Sequence, residues 1–145
     1  KNQKMILLKK ARNRFTTFKD LNVAVLGLTF KPGTDDLREA PSIDNIAALL
    51  EEGAKIKAYD PIAEDNYRKI YPNEIEYKKS PEDVLKDADV CFIFTEWDEI
   101  KNIKPNMYKE LMKEAIVYDG RNIYTLDEMK NNHIEYHSIG RPSII

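Results

Sequence analysis

Two cations in one loop are the residues of this chain best placed to do chemistry. Lys31 and Arg38 follow the apolar run Val23–Leu28, in a loop that also holds Asp35, Asp36 and two prolines. In an open α/β sheet, the loop leaving the carboxyl end of a strand is where ligands sit. Lysine offers a phosphate a point charge, and arginine offers a planar fork. Other apolar runs end in the same way. Asp60 follows the second. Thr95, Glu96 and Trp97 follow Val90–Phe94, and Asp119, Gly120 and Arg121 follow Ile116–Tyr118. In a parallel sheet all of these groups share one edge. The pattern predicts an anionic ligand met in one cleft by Lys31, Arg38 and Arg121. A plain turn with solvated charges is the structural alternative.

No catalytic residue and no metal ligand set stands out beside them. Gly27 and Gly33 do not make G-x-G-x-x-G, so the first strand lacks the dinucleotide fingerprint. Asp60 stands where a ribose-binding acid could lie, but Asp-Pro after a strand reads first as a turn. Cys91 lies inside an apolar strand and reads as a small buried hydrophobe, because reactive thiolates want exposure and cationic neighbours. His133 and His137 have no metal-ligand partners at useful spacing and read as surface residues. There is no Ser-His-Asp set and no P-loop.

The elements that must position these groups follow from periodicity. Apolar residues at Leu7 or Leu8, Ala11, Phe15 and Phe18 predict a helix across residues 3–18, with its lysines and arginines on the other face. Strand and helix patterns then alternate. Strands are predicted at Val23–Leu28, Lys55–Tyr59, Ile75–Tyr77, Val90–Phe94, Ile116–Tyr118 and Glu135–Ser138. Helices are predicted after Ser42 as a cap, around Asn66–Tyr71, after Ser80-Pro81, at Met107–Lys113 and at Leu126–Asn131. Such alternation defines an α/β fold. It is a doubly wound, mostly parallel, Rossmann-like sheet with helices on both faces, preceded by a connecting helix.

Bulk properties narrow the function class. The 145 residues suit one domain, and no apolar run approaches a membrane span. A single cysteine excludes an internal disulfide framework and fits a reducing, cytoplasmic compartment. Net charge is −2, yet residues 1–19 hold seven of the 23 basic residues and none of the 25 acidic ones. That basic stretch reads as the solvated face of a connecting helix. Nucleic-acid and membrane partners are not expected, because no aromatic-interleaved basic patch continues beyond it. A basic helical lead-in opening on Lys1 suggests a piece of something larger.

The run Gly27-Leu-Thr-Phe-Lys-Pro-Gly-Thr-Asp-Asp-Leu-Arg-Glu-Ala-Pro-Ser42 resembles the hallmark of the UDP-glucose/GDP-mannose dehydrogenase family, at the start of its C-terminal domain. Tyr59-Asp-Pro61, Thr95-Glu-Trp97, Asp119-Gly-Arg121 and Ser138-Ile-Gly-Arg-Pro142 agree in order and spacing. Thr95-Glu-Trp97 is most like the members that oxidise UDP-glucose. Ala40 stands where many members have serine. The resemblance implies a full-length homodimer that oxidises the C6 alcohol of UDP-glucose, or of a related nucleotide sugar, with two NAD⁺. It assigns the NAD fold and the catalytic cysteine to an N-terminal domain. It makes residues 1–20 the end of a central connecting helix and 21–145 the sugar-nucleotide-binding domain. By position, it implies that Phe30 and Lys31 contact the sugar nucleotide. Arg121 would bind its uridine diphosphate end, and Arg38 the NAD pyrophosphate. The chain alone would then be catalytically incomplete.

Two other readings compete. One is the same domain of a sister enzyme acting on GDP-mannose or UDP-N-acetylmannosamine. The other is a non-enzymatic receiver-like or nucleotide-binding module, with Asp35, Asp36 and Asp60 as an acidic pocket and Thr95 as a switch.

Overall fold

Val23, Val25, Val90 and Phe92 are buried on one face of the central sheet, and Ala24, Leu26, Cys91 and Ile93 on the other. Strands buried on both faces are continuous apolar runs, and parallel sheets require them. The computed structural model describes residues 3–145. It contains β1 (Asn22–Leu26), β2 (Lys55–Tyr59), β3 (Ile75–Tyr77), β4 (Val90–Ile93), β5 (Ile116–Asp119) and β6 (Glu135–His137). The order is β3-β2-β1-β4-β5-β6, and every pairing is parallel. This is the doubly wound order whose direction reverses between β1 and β4.

Helices cover both faces. α1 (Ile6–Ala11), α2 (Pro41–Glu51) and α3 (Glu64–Ile70) lie on the Val23 side. α4 (Pro81–Leu85), α5 (Asp98–Lys101), α6 (Pro105–Leu111) and α7 (Leu126–Asn131) lie on the Leu26 side. α4 begins as its sequence dictates, with the Ser80 hydroxyl accepting from the Asp83 amide and Pro81 at the first helical position. α7 carries a full capping box between Thr125 and Glu128. No helix among the described residues is long and apolar enough to cross a membrane.

The structure corrects the sequence reading in four places. The first helix does not reach residue 18. It ends at Ala11, because Asn13, Thr16 and Thr17 are weak helix formers. Phe15 and Phe18 therefore lie beyond it, with Phe18 fully buried in the same core as Leu7, Leu8 and Ala11. Ser42 is not a cap. Pro41 opens α2, and the Ser42 hydroxyl instead donates to the Leu28 carbonyl at 2.6 Å and meets the Tyr67 hydroxyl at 3.0 Å. α5 was not expected, because a single turn carries too few residues to show a period. His137 is buried, not on the surface. It stacks on Tyr118 with ring centres 4.3 Å apart and bonds to Ser143 and Glu135.

Candidate functional site

Leu26, Tyr59, Ile93 and Asp119 pair across four adjacent strands, so the loops that follow them start at one level. The loop roots are pinned by backbone bonds. Gly27 donates to Tyr59, Phe94 to Leu26 and Gly120 to Ile93, at 2.8 to 2.9 Å. Gly27 is required here. Its φ is +87°, and an added Cβ would stand 2.6 Å from the Thr95 side chain. The Thr95 hydroxyl donates to the Thr29 carbonyl, joining the loops at the point where strand order reverses.

Two aspartates at this edge are structural. Asp60 accepts the amides of Leu28, Ile62 and Ala63 at 2.8 to 3.0 Å. The receiver-like reading needed Asp60 as an open acid beside Asp35 and Asp36, and it is instead buried and saturated. Asp119 accepts the amides of Arg121 and Ile123, both at 2.8 Å, and the Tyr136 hydroxyl. Burial raises the Asp119 carboxyl above its ordinary range, against the pull of those hydrogen bonds. Its role is to fix the turn that presents Arg121.

Arg121 is held in a defined place. Its guanidinium forms two 3.0 Å contacts with the Glu96 carboxylate and lies 5.8 Å from the Phe30 ring centre. Both ionic side chains are about 30% exposed, at 29% and 31%, so one side of the pair faces solvent. Arg38 is tethered within its own loop. Its fork bonds the Asp36 carboxylate at 2.6 to 3.1 Å, and its side chain is 88% exposed. That hydrogen bonding holds the Asp36 carboxyl at about 2.

These residues line two cavities. One, of about 640 Å³, is walled by Lys4, Phe30, Asp36, Arg38, Glu39 and Pro41. The other, of about 230 Å³, includes Lys4, Leu7, Pro41, Phe94, Gly120 and Arg121. Lys4 and Pro41 belong to both, so the cavities adjoin. Pro41 opens α2, whose first turn has no side-chain cap. The positive end of the helix dipole favours an anion there. The structure therefore brings Phe30, Arg38 and Arg121 to one region. Lys31 is exposed on the same loop and lines neither cavity. Sequence reasoning gave no role to two residues found here, Glu96 and Lys4. Glu96 had a signal, an acid at a strand end facing a predicted arginine. Lys4 had none, being far in sequence from every loop of the site.

A larger cavity, about 820 Å³, opens at the opposite edge among Arg14, Lys109, Lys113, Lys130 and His133. Its size exceeds that of the strand-end cavities. Yet it lies at the amino ends of β5 and β6, away from the strand-order reversal where ligands collect in such sheets. Cys91 is fully buried in β4, and burial pushes its thiol well up.

A parallel doubly wound sheet with a cationic, aromatic-lined cleft at its reversal point is a nucleotide-binding architecture. Residues 24–126 match the UDP-glucose/GDP-mannose dehydrogenase family, UDP binding domain, and the chain belongs to that family. It is 44% identical over 99% of its length to the UDP-glucose 6-dehydrogenase YwqF of Bacillus subtilis, and covers 33% of that protein. It is 46% identical over 73% of its length to the UDP-glucose 6-dehydrogenase AglM of Haloferax volcanii, covering 24% of that protein. Among solved structures, a UDP-glucose dehydrogenase from Pyrobaculum islandicum superposes with a TM-score of 0.75 at 26% identity. That match covers 93% of this chain and 29% of the other. A UDP-D-ManNAc dehydrogenase from Pyrococcus horikoshii gives 0.72 at 26%, over 95% of this chain and 30% of the other. The chain thus spans about a third of the length of its relatives.

Proposed function

We propose that this chain is the nucleotide-sugar-binding, C-terminal domain of an NAD-dependent UDP-glucose 6-dehydrogenase, with residues 1–20 the end of its connecting segment. The observation that carries the reading is the convergence of Phe30, Arg38 and Arg121 on adjoining cavities at the strand-order reversal. Arg121, braced by Glu96 and placed beside an exposed aromatic ring, offers its outer edge to the diphosphate of UDP-glucose. Phe30, 44% exposed, supplies an apolar face for the sugar nucleotide, and Lys31, exposed on the same loop, a charge nearby. Arg38 fits an NAD pyrophosphate, because its present partner is a solvent-exposed carboxylate that a more highly charged anion can replace. NAD⁺ supplies the hydride acceptor and is bound mainly by an N-terminal domain. Full-length enzyme works as a homodimer.

Two measurements on the isolated chain test this. Calorimetric titration should give saturable UDP binding that is tighter than GDP binding. Equal affinity for both, or none for either, would contradict the assignment. With UDP-glucose and NAD⁺ the chain should form no NADH, because Cys91 is buried and no dinucleotide fingerprint follows β1. NADH formation that disappeared in Cys91→Ser would overturn that.

A further inference from the structure

We infer that Lys4, placed between Arg38 and Arg121, is a direct contact for the nucleotide diphosphate that Arg121 meets. The inference rests on the nucleotide-binding reading above. It adds a residue from the basic lead-in that sequence patterning assigned to a solvated face. Lys4 and Pro41 are the residues shared by the two cavities, one reached by Arg38 and the other by Arg121. The other described cations of that lead-in point elsewhere where their partners are seen. Lys10 donates to the Ser138 carbonyl, Arg12 pairs with Glu52, and Arg14 pairs with Glu135.

The backbone at Lys4 is anchored, which a binding residue needs. Buried Asn45 donates its amide to the Lys4 carbonyl at 2.6 Å and to the Pro41 carbonyl at 2.7 Å. Leu7 packs against Gly120, so the amino end of α1 stands beside the loop that carries Arg121. The Lys4 ammonium is 3.0 Å from Glu39, with side chains 40% and 77% exposed. An ion pair so wet is worth little and exchanges readily. Glu39 sits in the turn before α2, with a left-handed φ of +62°. Glu39 thus occupies Lys4 until a diphosphate, with more charge and more acceptor oxygens, displaces it.

The test is calorimetry on the 145-residue chain with UDP and, separately, inorganic pyrophosphate as probes. Lys4→Ala should weaken UDP by about tenfold, Lys4→Arg should restore most of it, and Lys9→Ala should leave it unchanged. Glu39→Gln should tighten UDP by about threefold, since it removes the competing carboxylate; a merely structural lysine would not produce that gain. Pyrophosphate should follow the same ranking. Circular dichroism would check that each variant stays folded. If Arg121→Ala weakens UDP while Lys4→Ala binds it like the wild type, the Lys4 contact is wrong and the nucleotide-binding reading survives. If the wild-type chain binds neither probe, both fall.

Discussion

Charge at the cleft is organised by pairs that a ligand can break or exploit, and the two pairs differ. Glu96 grips Arg121 through two contacts in a partly buried setting, so it aims the guanidinium. Asp36 grips Arg38 in the open, so it parks it. The expected kinetic consequences in the full-length enzyme differ accordingly. Arg121→Ala should raise KM for the nucleotide sugar by about ten- to a hundredfold, the worth of one charge-assisted contact. Arg38→Ala should act on the NAD⁺ dependence, and Lys31→Ala should lower turnover as well as binding. Steady-state kinetics with each substrate varied would show the split. An Arg38→Ala variant with normal NAD⁺ dependence but weakened sugar-nucleotide binding would contradict it. The parked pair also has a pH signature. The Asp36 carboxyl sits at about 2 because Arg38 bonds its charged form. The ordinary aspartate value is about 3.9, so the pair is intact above about pH 4 and is lost as pH falls toward 2. A carboxyl-carbon NMR titration should place the midpoint there and return it to the ordinary range in Arg38→Ala. An unchanged midpoint in that variant would show that Arg38 is not the cause.

At the scale of elements, what was legible in the sequence followed burial. β2, β3 and α7 lie where periodicity and punctuation put them, because their apolar residues and turn signals are purely local. α1 failed for the opposite reason. Leu7, Leu8, Ala11, Phe15 and Phe18 keep helical spacing, yet Phe18 is buried as part of the return to β1, a packing decision made by the core. His137 was misjudged similarly, since its stacking on Tyr118 depends on β5 and β6 being neighbours. Arg38 and Arg121 were readable once a parallel sheet was assumed, whereas Lys31 lines neither cavity and Lys4 required knowing that the start of the chain packs against Asn45 and Glu39. That packing makes the lead-in part of the domain's core. Leu8→Ala, at a site 1% exposed, should cost about 2–5 kcal/mol by urea unfolding. A loss under about 0.5 kcal/mol, typical of surface changes, would mean that the segment is only docked.

Among the described residues, cationic hollows open at both edges of one sheet, and the proposed function requires that the carboxyl-edge one take the nucleotide. The cavity around Arg14, Lys109, Lys113 and Lys130 at the amino edge is larger than either carboxyl-edge cavity alone. Topology and the braced Arg121 favour the carboxyl edge. The most direct measurement is an amide NMR titration of the labelled chain with UDP. Perturbations should cluster at Phe30, Lys31, Arg38, Ser42, Gly120 and Arg121, with the amino edge silent. Perturbations centred on Lys109, Lys113, Lys130 and Glu135 instead would contradict it.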